Sequence, residues 1–285
     1  MKISGYARFG AQYDDATEQT TTRSRLRMQF DMTTETDGGL TLGVRKRFQT
    51  EENSDTDATG SAAGNGARYY ATAGGLTIAT RNILGVIEAA PNLYLPTASA
   101  GVGLEGNYFA HLAPSTVSNG IGGWTAYSSA GAGATDGVEV IYSMNGLGVH
   151  AHSTAVSYAL GANYKIADYT VAVAYEEWND GARDGDSILF ASVGGSFGPV
   201  DAALSFAQTE TAAGADAEKF TLQGRYNVSD SVNVYGYVST ENNGAGEAYG
   251  LGASYGLGGG ASVEGGWEQD TAGDNRVSAG LFFRF

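Results

Sequence analysis

The most constraining feature of this sequence is an alternation of apolar and polar residues with a period of two. In segment 23–31 every odd position is polar, and from Leu26 onward every even position is apolar. Successive side chains of a β-strand point to opposite faces of the sheet, whereas a helix would scatter these arginines around its axis. The same alternation recurs in 219–228, 232–239, 249–257 and 276–285. The chain is therefore predicted to be all-β.

Dividing the chain by this pattern predicts an even number of strands, sixteen. They span 1–13, 23–35, 40–51, 67–74, 76–85, 137–144, 147–154, 157–166, 169–179, 187–197, 201–210, 219–229, 232–241, 248–257, 261–270 and 276–285. Most have about the 9–11 residues that a tilted β-strand needs to cross the hydrocarbon of a membrane. An even number of strands also lets the sheet close with both termini on one side.

The predicted connections alternate between short and long. Tight turns follow the even-numbered strands, among them Gly74-Gly75 and Asn145-Gly146, which suit hairpins because both central residues of a type I′ turn need positive φ. Longer polar stretches follow most odd-numbered strands, at 14–22, 52–66, 180–186, 211–218, 242–247 and 271–275. Short turns on one side and long loops on the other are typical of outer-membrane barrels.

Composition excludes several other classes of protein. The 285 residues include 43 glycines without a collagen-type repeat, and the content of 42% hydrophobic and 11% aromatic residues is too high for a disordered tail. The absence of cysteine excludes disulfide scaffolds and thiol catalysis. No segment is apolar for 18 residues, so no membrane-spanning helix is predicted. Because Met1-Lys2-Ile3-Ser4 leads directly into a strand, we expect either a mature chain carrying an added Met1 or a cytoplasmic protein.

A barrel of sixteen strands encloses more space than its own side chains fill, so its polar face should line water and its apolar face should meet lipid. Aromatic residues near the strand ends would then form girdles at the two membrane interfaces. These are Tyr13, Phe48, Tyr69, Tyr142, Tyr158, Tyr164, Tyr169, Tyr226, Trp267 and Phe285. We therefore predict one domain, residues 1–285, folded as a closed, antiparallel, transmembrane β-barrel.

Several strings of residues resemble those of the general diffusion porins of purple non-sulphur bacteria. They are Gly5-Tyr6-Ala7-Arg8-Phe9-Gly10, Arg23-Ser24-Arg25-Leu26-Arg27, Thr33-Thr34-Glu35-Thr36-Asp37, Ala248-Tyr249-Gly250-Leu251-Gly252-Ala253-Ser254-Tyr255 and the terminal Phe285. The likeness follows the strand order of the whole chain and is strongest at its two ends. It implies a sixteen-stranded homotrimer in the bacterial outer membrane, with each barrel narrowed by an inward-folded third loop. It also implies that Phe285 belongs to the barrel-assembly signal.

Basic residues concentrate at the start of the chain. Eight arginines fall on the polar phase of the first five strands: Arg8, Arg23, Arg25, Arg27, Arg45, Arg47, Arg68 and Arg81. Guanidinium groups stay charged and directional, so we predict that these side chains form one basic wall of the pore, the alternative being ordinary solvated wall residues. Lys46 falls on the apolar phase. A charge there costs about 2–4 kcal/mol near the midplane, so we expect it to reach an interface or a subunit contact.

The connection 86–136 runs for about fifty residues without a strand pattern, which favours a functional loop. We predict that it folds into the lumen as the constriction loop between the fifth and sixth strands. Candidate acids facing the basic wall are Glu88, Glu105, Glu139, Glu176, Glu264 and Glu268. Because the loop itself offers only two of them, selectivity could tilt toward anions despite the net charge of −15.

The other acidic residues concentrate in the long loops. Clustered carboxylates can bind calcium through oxygen ligands, or share divalent ions with lipopolysaccharide, although a solvated polar surface is the alternative. Calcium is thus the one candidate cofactor. The partners we expect are further copies of the chain, outer-membrane lipids with lipopolysaccharide, and small hydrophilic solutes and ions; no nucleic acid is expected.

Two histidines keep an enzymatic barrel open as an alternative. His150 and His152 share the polar face of the seventh strand, and Ser153 follows them. Adjacent positions of a strand lie on opposite faces, which disfavours His152 and Ser153 as a base and its nucleophile. We therefore predict a non-enzymatic outer-membrane porin that passes ions and small hydrophilic solutes by diffusion. A solute-specific, anion-preferring barrel channel is the alternative.

Overall fold

The computed structural model describes residues 1–54, 63–94, 126–129, 136–242 and 246–285. Within these residues, seventeen strands form one antiparallel sheet. They are β1 (Lys2–Asp14), β2 (Gln19–Glu35), β3 (Thr41–Asn53), β4 (Ala63–Gly64), β5 (Arg68–Ala73), β6 (Leu76–Arg81), β7 (Gly137–Met144), β8 (Leu147–Ser153), β9 (Ser157–Ile166), β10 (Tyr169–Trp178), β11 (Ser187–Phe197), β12 (Val200–Glu210), β13 (Asp216–Asn227), β14 (Val232–Glu241), β15 (Glu247–Gly258), β16 (Ala261–Gln269) and β17 (Asn275–Arg284). The sheet closes because β1 pairs with both β2 and β17.

Two of these strands, β4 and β5, together occupy one strand position of the barrel. We call each such position a stave. Gly64 of β4 pairs with Phe48, and Arg68 of β5 pairs with Arg45, so both segments lie along β3. The stave is broken at residues 65–67. Counting it once leaves sixteen staves, which confirms the predicted closed, sixteen-stranded antiparallel barrel.

The strand positions follow the alternation of the sequence closely. The predicted strands 137–144, 157–166, 187–197 and 232–241 coincide with β7, β9, β11 and β14. The predicted strand 76–85 was too long, because Arg81 adopts a φ of 76°, in the left-handed region, and the strand ends there. The long third connection therefore leaves the sheet at residue 82, earlier than predicted.

The two faces of the barrel differ in chemistry. On β7, Val140 is 39% exposed, while its neighbour Glu139 is completely buried. The same contrast recurs on β16 between Trp267 and Glu268. Apolar side chains thus cover the outer face and polar ones the crowded inner face, which is the arrangement of a barrel in lipid. All the predicted girdle aromatics except Tyr142 are strongly exposed.

The inner face of β11 departs from this pattern. Ile188 and Phe190 lie on it and are completely buried. They belong to a hydrophobic cluster that also contains Ile87 and Leu93 from the third long connection. These apolar residues are tolerated inside the barrel because another part of the chain, and not water, covers them.

Lys46 lies on the outer face, as its phase predicted. Its ammonium group donates a hydrogen bond to the backbone carbonyl of Asn65, at the break between β4 and β5. The nitrogen also lies 5.7 Å from the centroid of the Phe48 ring. The charge is therefore satisfied locally. Among the described residues no helix has the length and apolar character to cross a membrane.

Candidate pore wall and constriction

Strand register brings the predicted arginines together. Directly paired residues of antiparallel strands point to the same face, so each row of partners shares the lumen side. One row joins Arg8, Arg25 and Glu51 across β1, β2 and β3. The neighbouring rows are Tyr6–Arg27–Gln49, Gly10–Arg23, Ser4–Gln29–Arg47 and Asp31–Arg45–Arg68. Seven of the eight predicted arginines therefore lie on four adjacent staves.

Within this wall, two arginines share one carboxylate. The guanidinium of Arg25 forms an ion pair with Glu51. Arg8 Nη2 lies 3.8 Å from the same Glu51 Oε1. Arg25 Nη1 also donates to the Tyr6 hydroxyl over 3.5 Å. Two positive charges thus face one negative charge in this row.

Arg27 has only neutral contacts in its row. Its Nε donates to Gln49 Oε1 at 2.7 Å, and its guanidinium carbon lies 5.4 Å from the centroid of the Tyr6 ring. Both neighbours orient the guanidinium plane without cancelling its charge. We call Arg8, Arg23, Arg25 and Arg27 the basic cluster.

Three of the predicted arginines each form an ion pair with an acidic side chain. Arg45 Nε lies 3.0 Å from Asp31 Oδ1. Arg68 forms a buried ion pair with Glu139. Arg81 lies 2.5 Å from Asp136, and both of these side chains are largely exposed. These three contribute less net positive charge to the wall than the basic cluster does.

Arg47 contacts the third long connection instead of an acid. Its Nη2 donates to the backbone carbonyl of Ser129 at 2.7 Å and to the Ser129 hydroxyl at 2.8 Å. Glu88 accepts from the Ser129 backbone N–H and hydroxyl, each at 2.8 Å, and from the Gly85 N–H at 3.1 Å. The Glu88 carboxylate therefore accepts its hydrogen bonds from other residues of the same connection.

The predicted acids Glu139 and Glu176 also hold backbone groups of this connection. Glu139 lies beside the basic wall, not across from it, and accepts from the Leu84 N–H at 2.5 Å. Glu176 is completely buried and accepts from the Tyr127 N–H at 2.6 Å. Glu105 lies outside the described residues. Glu264 lies on the inner face of β16, where the Ser262 hydroxyl donates to it at 2.7 Å.

His152 contacts both described parts of the third connection, residues 82–94 and 126–129, which we call its first and second limbs. Its Nδ1 accepts from the Val86 N–H at 3.1 Å, and its ring lies 5.1 Å from the Tyr127 ring, between centroids. Ser153, the next residue, is exposed on the opposite face. The two side chains therefore cannot work as a nucleophile and its base, which removes the geometric basis of the enzymatic alternative.

The first limb continues along the inner face of the barrel. Asn92 Nδ2 donates to the Thr170 carbonyl of β10 at 3.0 Å. The Asn92 carbonyl accepts from Gln223 Nε2 of β13 at 2.6 Å. Gly161 of β9 permits close approach, because a Cβ there would lie 2.7 Å from Val86 Cγ1. The sequence predicts that these positions face inward, but nothing in it points to these contacts.

Tyr94 lies at the end of the described limb, near the basic wall. Burial and the negative charge of Glu88 raise the pKa of its hydroxyl, and Arg27 opposes them. The hydroxyl therefore remains protonated and neutral at physiological pH.

The structure offers no preformed metal site in the parts of the chain that it describes. No group of three or more His, Asp or Glu residues there could hold an ion. Asp14 is paired with Arg276 at 2.7 Å, and Asp15 accepts from Asn275 Nδ2 at 2.7 Å. Asp55 and Asp57 lie outside these parts. A calcium site in the acidic loops remains a prediction.

These features define a membrane-type β-barrel whose charged inner face is partly covered by its own third connection. The family model for Gram-negative porins matches residues 1–275. The chain therefore belongs to the Gram-negative porin family, which indicates a channel and not an enzyme.

Individual relatives agree with this assignment. A curated porin of Fuscovulum blasticum is 31% identical over 159 residues, which cover 53% of this chain and 50% of that protein. The chain thus matches about half the length of this relative. A solved mutant of Rh. blastica porin has 26% identity and a TM-score of 0.77, covering 100% of this chain and 99% of the other. A triple mutant of Rhodopseudomonas blastica porin has 25% identity and a TM-score of 0.80 over the same shares of the two chains.

Proposed function

We propose that this protein is a passive diffusion channel of the bacterial outer membrane for ions and small hydrophilic solutes. The observation that carries the proposal is the closed barrel with an apolar outer face and a charged inner face. Sixteen staves leave a water-filled lumen, and their polar side chains keep it wetted. Solutes are then selected by size where the third connection covers part of the inner face, and by charge along the walls.

Liposome swelling tests this proposal. Purified protein is reconstituted into vesicles, which are then diluted into isotonic solutions of sugars of increasing size. Swelling should be fast for the smallest sugar and fall steeply with solute size. Folding is checked by the shift in gel mobility between heated and unheated samples, and insertion by flotation of the protein with the vesicles. A folded, inserted protein that gives no swelling with the smallest sugar contradicts the proposal.

The basic cluster favours anions within this general function. Among the residues that the structure describes, the rows of Arg8, Arg25 and Arg27 place three guanidinium groups on the same wall as one carboxylate, that of Glu51. Their fields add across the lumen because all of them lie on neighbouring staves. We therefore propose a channel that prefers anions among small ions, although the whole chain carries a formal charge of −15.

Strand lengths support a homotrimer. β6 has six residues, and the neighbouring stave has six in β5 after its break, whereas β2 has 17. Six residues span about 20 Å along a strand, or about 14 Å across the membrane at a 45° tilt, against an apolar band of about 25 Å. Their outer face carries exposed Tyr69 and Ile78, which line a groove of about 570 Å³ together with Met32 and Leu42. Because β6 is too short to span this band, we propose that this side of the barrel contacts other copies of the chain.

The oligomer can be tested with single cysteines because the chain has none of its own. Ile78→Cys places a thiol on the short side, and Leu251→Cys places one on β15, where the side chain is also exposed. A short bis-maleimide should link copies of the first variant and leave the second unlinked. Sedimentation in detergent should give the mass of three chains. A monomeric mass, or equal linking of both variants, contradicts the trimer.

A further inference from the structure

The backbone carbonyl of Ser129 is the meeting point of three side chains from separate parts of the barrel. Arg47 Nη2 donates to it at 2.7 Å, Asn65 Nδ2 at 2.8 Å and Asn82 Nδ2 at 3.2 Å. Arg47 belongs to β3, Asn65 to the break between β4 and β5, and Asn82 follows the last residue of β6. We propose that Arg47, Asn65 and Asn82 form a socket that positions residues 126–129, and thereby sets the size limit of the pore.

The socket is built into the wall. The Asn65 N–H donates to the Arg47 carbonyl at 3.0 Å, and the Asn82 N–H donates to the Ala67 carbonyl at 3.2 Å. Asn65 and Asn82 are nearly buried, and Ser129 is completely buried. The three donors are therefore fixed by the sheet before they meet Ser129. A buried carbonyl that lost them would lack hydrogen-bond partners, so the bound position of Ser129 is strongly preferred.

The socket residue Asn65 lies at the start of the break in the fourth stave. Asn65 follows Gly64, the partner of Phe48, and its N–H still donates to the carbonyl of the next β3 residue, Arg47. In the structure, residues 65–67 leave the strand conformation, and the Asn65 side chain reaches Ser129. Lys46 caps the Asn65 carbonyl from the outer face. One residue thus joins the outer surface, the wall and the connection.

Ser129 also forms hydrogen bonds with the first limb of the connection, residues 82–94. Glu88 accepts from its backbone N–H and from its hydroxyl. Arg47 and Glu88 thereby hold Ser129 from two sides, and neither of them projects freely into the lumen. Arg47 is thus a positioning residue for the constriction, in contrast to the predicted role as one more charge of the basic wall.

Neutral substitutions separate this role from an effect of charge. Asn65→Ala combined with Asn82→Ala removes two socket donors and leaves the charge of the protein unchanged. Asn233→Ala, on the inner face of β14 and far from Ser129, is the matched control. Arg47→Gln and Arg23→Gln form a second pair, since each removes one positive charge from the inner face of a neighbouring strand, and only Arg47 contacts Ser129.

The readouts are liposome swelling with sugars of graded size and the reversal potential in a salt gradient. For the asparagine double variant, we expect the ratio of swelling rates between the largest and smallest permeant sugars to change about twofold or more, with an unchanged reversal potential. Arg47→Gln should change both quantities. Arg23→Gln should change the reversal potential alone, and Asn233→Ala neither. Asn82→Ala loses only the longest of the three hydrogen bonds, so it should change the ratio of swelling rates less. This single variant replaces the double variant in the test if the double variant does not fold.

The inference rests on the proposed channel function, and its failure is distinguishable from a failure of that function. If the unmodified protein gives no swelling at all, the channel proposal fails. If the unmodified protein gives swelling, and the asparagine variants show the same dependence of swelling rate on sugar size, the proposed role of the socket is wrong. The socket is also wrong if Arg47→Gln cannot be told apart from Arg23→Gln in both readouts.

Discussion

Replacing Arg27 by Gln should weaken the preference of the channel for anions. Arg27 is the informative residue because the two side chains paired with it across the strands are neutral. Its Nε lies 2.7 Å from Gln49 Oε1, and its guanidinium carbon lies 5.4 Å from the centroid of the Tyr6 ring. The substitution therefore removes a positive charge without leaving a partner carboxylate behind. Glutamine retains a polar side chain, so the wall stays wetted.

The size of the effect follows from Coulomb's law in a water-filled lumen. A monovalent ion passing about 5 Å from the guanidinium interacts with it by about 0.8 kcal/mol in water, or about 0.5 kcal/mol after screening at 0.1 M salt. Loss of this term disfavours an anion and favours a cation by equal amounts. The ratio of anion to cation permeability should then fall about fivefold.

Reversal potentials in planar bilayers under a potassium chloride gradient measure this ratio. The matched control is the double variant Arg45→Gln and Asp31→Asn, which removes an ion pair of 3.0 Å and leaves the net charge unchanged. Its reversal potential should stay close to that of the unmodified protein. A permeability ratio that does not move in Arg27→Gln, or that moves as far in the control, refutes the basic cluster as the source of selectivity.

Two further predictions concern the inner face. Glu139→Gln leaves Arg68 buried without its counter-charge, so the free energy of unfolding in detergent should fall by about 3–5 kcal/mol; an unchanged denaturant midpoint would contradict this. In Gly161→Ala the new methyl would lie 2.7 Å from Val86 Cγ1, and we expect a loss of about 1–3 kcal/mol and a changed sugar-size dependence. Gly265→Ala, whose nearest atom would be 3.6 Å away, is its control and should resemble the unmodified protein.

The strands and their faces were predictable because the signals for them are local. Alternation of period two can be recognised from a few neighbouring residues. A turn such as Asn145-Gly146 can be recognised from its residue types. In the structure both residues of this turn have positive φ, at 51° and 84°. The inward phase of Arg25 and the outward phase of Lys46 follow from the same local rule.

The pairing of charges was not predictable from such patterns. Arg68 and Glu139 are separated by 71 positions, and their contact depends on how far each strand is shifted against its neighbour. Ile188 and Phe190 violate the expected polarity of the inner face because the third connection covers them. The Ser129 socket has the same cause, since the path of a long connection is determined by tertiary contacts and not by local propensity.

The most direct test of the channel is single-channel recording of the unmodified protein in a planar bilayer with a salt gradient. The structure predicts ohmic current steps from a water-filled barrel, in groups of three if the protein is a trimer. It also predicts a zero-current potential whose sign shows anion preference. Bilayers that stay silent despite inserted, folded protein would contradict the channel. A zero-current potential of the opposite sign would contradict the dominance of the basic cluster.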